Sequence, residues 1–240
     1  MKIQNTKNMS DDRLKILVYG APGVGKTTLA KTINEPCLII SAEAGLLSLA
    51  GSEIDAIDLS TDDEGKLISK EKRIGRLGEV YQYLNTEEAQ KKYKWIFVDS
   101  ITEIGQNIVE ALQLEYPSRS DTMKLWGDYA VKMKALIKSF RDLPHYNVVM
   151  TALEKMEKDE NGVRFAGISV QGSIGDNLPA YFDECFYMCV LKNESEEKRV
   201  LLTASSDRYK AKDRSGKLDR IEQPNLAAIA AKIKGEKKDA

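Results

Sequence analysis

The chain has one histidine, three cysteines and a near-balance of charge among its 240 residues, and each shortage narrows what it can do. The lone histidine, His145, lies in a loop (L-P-H-Y-N) and is assigned a structural or surface role. Cys37, Cys185 and Cys189 are odd in number and lack zinc-type spacing. Cys185 and Cys189 fall at even spacing in an apolar run, which places both on one face of a strand. Buried thiols in a reducing compartment follow, and a cytoplasmic location is expected. With 36 Lys and Arg against 37 Asp and Glu, any nucleic-acid contact has to come from local patches. No apolar run approaches the roughly 20 residues that span a bilayer, and no signal-peptide pattern opens the chain, so no membrane partner is expected. Internal repeats and an interdomain linker are also missing. A chain of 240 residues then reads as one domain, 1–240, with polar N- and C-terminal tails.

Apolar strand candidates alternate with helical patterns, which predicts an α/β fold: a mainly parallel sheet with helices on both faces. The strand candidates are Leu14 to Tyr19, Cys37 to Ser41, Trp95 to Val98, Asn147 to Thr151, Glu184 to Leu191 and Arg199 to Ala204. Helices are expected from Lys26 to Ile33, from Trp126 to Leu143 with Trp126 anchored in the core, and over the last amphipathic stretch, N-L-A-A-I-A-A-K-I-K. Three charged, glycine-bearing stretches, Thr61 to Gly78, Lys155 to Asn177 and Ser205 to Arg220, are expected to interrupt this core.

Directly after the first strand candidate comes Gly20-Ala21-Pro22-Gly23-Val24-Gly25-Lys26-Thr27, a full match to G-x-x-x-x-G-K-[ST], followed by Thr28. Glycines free of side-chain constraint let successive N–H groups turn inward around a polyphosphate, and the helix start adds partial positive charge there. Lys26 is expected to reach the β- and γ-phosphates and Thr27 to ligate Mg²⁺. The second motif is W-I-F-V-D-S, in which a buried strand delivers Asp99 as the other metal-site residue. Guanine specificity is disfavoured, because Asp99 is followed by S-I-T and no N-K-x-D occurs. ATP is the expected nucleotide. Position 100 is Ser, so a water-activating carboxylate must come from another strand. Glu43, just past the strand that starts near Cys37, is the candidate; its alternative is a solvent-facing Glu before a turn.

The order G-x-x-x-x-G-K-T, I-I-S-A-E-A-G, I-F-V-D-S-I-T-E-I resembles RecA-like recombination ATPases. The resemblance implies that Glu43 is catalytic and that Thr151, in N-V-V-M-T-A-L-E, occupies the strand end of a γ-phosphate-sensing residue, where that family more often has Gln. More narrowly, L-W-G-D-Y, T-A-L-E and V-Q-G-S-I-G-D-N-L-P-A-Y-F-D-E are similar to small phage ATPases of single-strand annealing, over about Lys15 to Gly216. That similarity implies the host cytoplasm as location if the chain is phage-encoded. In D-R-Y-K-A-K-D-R-S-G-K-L, Lys212 and Arg214 resemble the K-x-R pair that such ATPases insert into a neighbour's site, which implies a homo-oligomeric ring or filament. A solvated basic hairpin is the alternative.

The loops that face the axis in the RecA arrangement hold the expected contacts to single-stranded DNA. One carries Arg119 and Lys124; the other carries Lys155, Lys158, Arg164 and Phe165 among Glu154, Glu157, Asp159 and Glu160. A single-strand-binding protein is a plausible further partner. Two other functions remain open: a P-loop kinase for a small molecule, which would need a basic lid, and a non-hydrolysing ATP-dependent adaptor that loads DNA proteins.

Overall fold

The computed structural model describes residues 13–43, 45–158, 161–192 and 196–235. Most of the polar tails, and Asp159 and Glu160, lie outside the described residues. The strands are β1 (Lys15–Gly20), β2 (Cys37–Ser41), β3 (Asp55–Asp58), β4 (Trp95–Asp99), β5 (Asn147–Lys158), β6 (Arg164–Ile168), β7 (Glu184–Lys192), β8 (Glu197–Leu202), β9 (Lys212–Asp213) and β10 (Ile221–Glu222). The α-helices are α1 (Lys70–Leu84), α2 (Glu87–Lys92), α3 (Ile101–Glu115), α4 (Thr122–Arg141), α5 (Ile174–Tyr181) and α6 (Leu226–Lys234). Along one sheet the order is β10-β8-β7-β1-β5-β4-β2-β3, with β6 added on β5 and β9 on β7. The run from β7 to β3 is parallel throughout; β6, β8, β9 and β10 are antiparallel additions.

The central strands read as continuous apolar runs because both of their faces are covered. Tyr19, Val98 and Met150 point to a core closed by α1, α3, α4 and α5. Val18, Phe97 and Val149 point to the other face, under the segment after the glycine loop and under α6. Helices therefore flank both faces, as the alternating pattern predicts. Among the described residues no helix is long and apolar enough to cross a membrane.

Several elements depart from the sequence expectation. The helix after the loop is a 3₁₀ turn, Thr27–Thr32, not an α-helix over Lys26 to Ile33. Its threonines bond backward, Thr28 Oγ1 to the Gly25 carbonyl at 2.8 Å and Thr32 Oγ1 to that of Leu29 at 2.7 Å, which favours the tighter i→i+3 winding. The stretch from Thr61 to Gly78, expected to interrupt the core, contains the first half of α1, capped where Ser69 accepts from the Lys72 N–H. Its buried face is Leu77, Val80 and Leu84. The stretch from Lys155 to Asn177 is the end of β5, β6 and the start of α5, not a loop. Gly162, at φ +78°, turns the chain between β5 and β6, and a side chain on Gly167 would collide with the Glu157 carboxylate across the ladder. Trp126 is 41% exposed and meets Tyr129 edge to face, so it is not the core anchor expected of it.

Cys37 and Cys185 are buried and Cys189 is half-buried; burial pushes the Cys37 and Cys185 thiols up to about 12. Glu184 opens β7 only 1% exposed, opposite Asp213 of β9. Burial first, and then the Asp213 charge, push its carboxyl up to about 7. A carboxyl raised above its unfolded value holds its proton longer in the folded chain. Its stabilising effect is therefore complete below the ordinary carboxylate range and is lost as pH rises through about 7. Glu184→Gln is expected to match the parent at pH ~4 and to exceed it by about 1–2 kcal/mol at pH ~8, a figure discounted for screening at the sheet end. Urea unfolding at the two pH values measures this; equal stabilities at the higher pH would refute it.

Candidate functional site

The parallel strands β1, β5, β4 and β2 end at one edge of the sheet, and the glycine loop leaves β1 there. The order reverses beside β1: the chain leaves it, passes over β5 and β4, and returns as β2. Ligands collect at such a point. Gly23 and Gly25 have φ of +74° and +109°, conformations that a side chain would strain. Gly20 answers a different need, since a Cβ there would run into the Met188 carbonyl of β7.

The loop turns around a cleft of about 470 Å³. Pro22, Gly23, Gly25, Lys26, Thr27 and Thr28 line it from the loop, Glu43, Gly45 and Ser48 from the segment after β2, and Asp99, Leu153 and Arg199 from β4, β5 and β8. Val24 instead packs into the core, and Ala21 contributes its carbonyl. Lys26 is buried, with Nζ donating to the carbonyls of Gly20 at 3.0 Å and Ala21 at 2.9 Å. Burial pushes its ammonium below the ordinary lysine range, against the opposing pull of Asp99, Glu43 and Glu154. The loop thus stores a cation whose present partners are neutral carbonyls, ready for a more strongly charged acceptor.

Asp99 ends β4, 3% exposed as a residue, with its carboxylate gripped on both oxygens. Thr27 Oγ1 donates to Oδ2 at 2.6 Å, and Thr151 Oγ1 donates to Oδ1. The peptide from Asp99 to Ser100 is cis. Ser100 caps α3 by accepting from the Glu103 N–H at 3.4 Å, and its hydroxyl also donates to Glu43 Oε1. Ser41 Oγ, at the end of β2, donates to the Glu43 carbonyl. Glu43 is therefore fixed beside Asp99 across the β2–β4 pair, where its position after the strand predicts it. Thr151 departs from the expected γ-phosphate-sensing position: it is fully buried, does not line the cleft, and its hydroxyl donates to Asp99.

Among the described residues no cluster of three or more His, Cys, Asp or Glu forms a metal cage. One carboxylate and one hydroxyl at the loop suit Mg²⁺, which takes few protein oxygens and completes its shell with water and phosphate.

The remaining predicted residues lie elsewhere. Lys212 and Arg214 are on and after β9, which pairs with the start of β7, at the sheet end opposite the loop. Lys212 Nζ donates to the Pro179 and Phe182 carbonyls at the end of α5, and Arg214 pairs with Asp183. Within one chain neither reaches the cleft. Lys155, Lys158, Arg164 and Phe165 share the β5–β6 hairpin, which runs on past Leu153, the residue level with Gly20. Lys155 is paired with Glu157 at 2.8 Å, and Lys210 sits 6.0 Å over the Phe165 ring. Arg119 and Lys124 lie apart: Arg119 is in the short turn between α3 and α4, whereas Lys124 is in the first turn of α4 and not in a loop, 4.8 Å over the Tyr116 ring. Sequence reasoning missed Arg199, because a lone cation at the head of an apolar strand carries no motif.

Fold and cleft together define a nucleotide-binding α/β protein of the P-loop class. The chain belongs to the AAA domain family, whose model matches residues 12–215. Among solved structures, a prototypical ATPase from the type III secretion system of pathogenic bacteria is similar at 16% identity and a TM-score of 0.49, covering 73% of this chain. The match covers 51% of that longer chain, about half its length, and at that score it carries no argument about the site. No curated protein matches the chain.

Proposed function

We propose that the chain is an ATP-hydrolysing, RecA-like protein that acts on single-stranded DNA in recombination or strand annealing, as an oligomer and from a phage. The observation that carries the hydrolytic part is the joining of Glu43 to the metal-site strand through Ser100, beside the loop lysine. In this reading Lys26 leaves its loop carbonyls for the β- and γ-phosphates. Mg²⁺, held by Thr27 and Asp99, would neutralise phosphate charge. Glu43 orients a water and takes its proton as the water oxygen bonds to the γ-phosphorus and the bond from that phosphorus to the bridging oxygen breaks, releasing ADP and phosphate. Thr151 keeps Asp99 in position.

The DNA part rests on the resemblance and on the β5–β6 hairpin, which carries Lys155, Lys158, Arg164 and Phe165 past the edge that binds nucleotide. The kinase reading loses support, since Lys212 and Arg214 sit at the far end of the sheet and cannot form a lid over the donor. If they act on a phosphate, it is a neighbour's. ATP turnover measured with and without single-stranded DNA, alongside the assembly state, tests the reading. DNA is expected to raise turnover several-fold and to favour assembly. A flat rate, with phosphate passed to a nucleoside, would overturn it in favour of a kinase.

A further inference from the structure

The cleft has two ends. Lys26, Thr27, Asp99 and Glu43 mark one, on the side of β5, β4 and β2. On the other side of β1 lie β7 and β8, and from β8 a single cation, Arg199, lines the same cleft. Arg199 pairs with Val190, two residues beyond Met188, which is level with Gly20, so the β7–β8 hairpin carries it past the sheet edge alongside the loop. It shares a face of β8 with Leu201, which packs into the core beneath the loop. Its Cδ lies 3.6 Å from the point that a Cβ on Gly25 would occupy, which sets the Arg199 side chain directly against the glycine loop.

The arginine is also free to bind. Three other cations near this edge have partners: Lys26 the loop carbonyls, Lys155 the Glu157 carboxylate, Lys210 that of Asp176. Among the described residues the Arg199 side chain has no hydrogen bond or ion pair. A guanidinium is charged at any working pH and offers a planar fork that matches two phosphate oxygens at once.

We propose that Arg199 clamps the nucleoside end of the bound nucleotide by engaging its α-phosphate, so that it holds ADP and ATP alike. The triphosphate lies along the loop with its terminal phosphate toward Asp99 and Glu43, and its other end then passes the side of Gly25 and Thr28 that Arg199 overlooks. This rests on the reading of the cleft as an ATP site. Arg199 is a binding residue with no part in the cleavage step.

The test compares the full chain with its Arg199→Ala, Arg199→Lys and Lys26→Ala variants, using calorimetric binding of ADP and ATP with Mg²⁺ and steady-state hydrolysis. Arg199 is exposed, and thermal melting checks that its variants fold. Arg199→Ala is expected to weaken ADP and ATP by a similar factor, about tenfold, and to lower kcat/KM mainly through KM. Arg199→Lys should fall between, keeping the charge and losing the fork. Unchanged affinity for both nucleotides would overturn the proposal. So would intact ADP binding with a collapse in kcat, which would put the guanidinium at the γ-phosphate. Nucleotide binding that is indifferent to Lys26→Ala would overturn the reading of the cleft itself, and this assignment with it.

Discussion

Glu43→Gln is expected to bind ATP as tightly as the parent and to hydrolyse it at least ~100-fold more slowly. The side chain keeps its length, and its amide oxygen can still accept from the Ser100 hydroxyl that now donates to Oε1. The variant therefore leaves the local structure in place and removes only the capacity to take a proton. Ser41, which donates to the Glu43 carbonyl, holds the backbone of this position independently of the side chain. Phosphate release at saturating ATP, with binding of a fluorescent ATP analogue as the control, separates the two effects. Turnover within about threefold of the parent would show that Glu43 is not the base.

Asp99→Asn tests the other half of the site and is expected to cut turnover by about 10²–10³-fold while ADP binding without Mg²⁺ survives. The carboxylate receives a hydroxyl on each oxygen, from Thr27 and from Thr151, in a position 3% exposed. An amide offers an acceptor to only one of them and turns a donor toward the other, so the Thr27 hydroxyl loses its fixed aim. The expected signature is a higher Mg²⁺ concentration at half-maximal activity. A variant whose Mg²⁺ titration overlays that of the parent would remove Asp99 from the metal site.

Much of the site is legible in the sequence because its chemistry is local. The glycine loop, the strand before it and the first turn after it are contiguous, and the positive φ of Gly23 and Gly25 is a conformation that glycine takes without strain. Asp99 and Glu43 are legible for a related reason: one ends a buried apolar strand and the other lies just past one, and in a parallel sheet those ends face the ligand. Elements with a weak apolar signal escaped. The edge strand β3 is D-A-I-D, with only Ile57 packing against the core, and α1 is interrupted by Gly75 and Gly78 and buries a narrow face. The long hairpin of β5 and β6 alternates charged residues, which look like a loop until the two strands pair.

The sequence by itself determined that a triphosphate-type loop sits between a buried strand and a helical turn, with two carboxylates delivered by two further strands. Only the tertiary structure decided what those groups touch. That Thr151 holds Asp99, that Ser100 ties Glu43 to α3, that Lys212 caps α5 and that Arg199 overlooks the loop from β8 are all contacts between segments far apart in the chain. Side-chain partners of that kind depend on strand order and register, which residue type and short-range spacing do not encode.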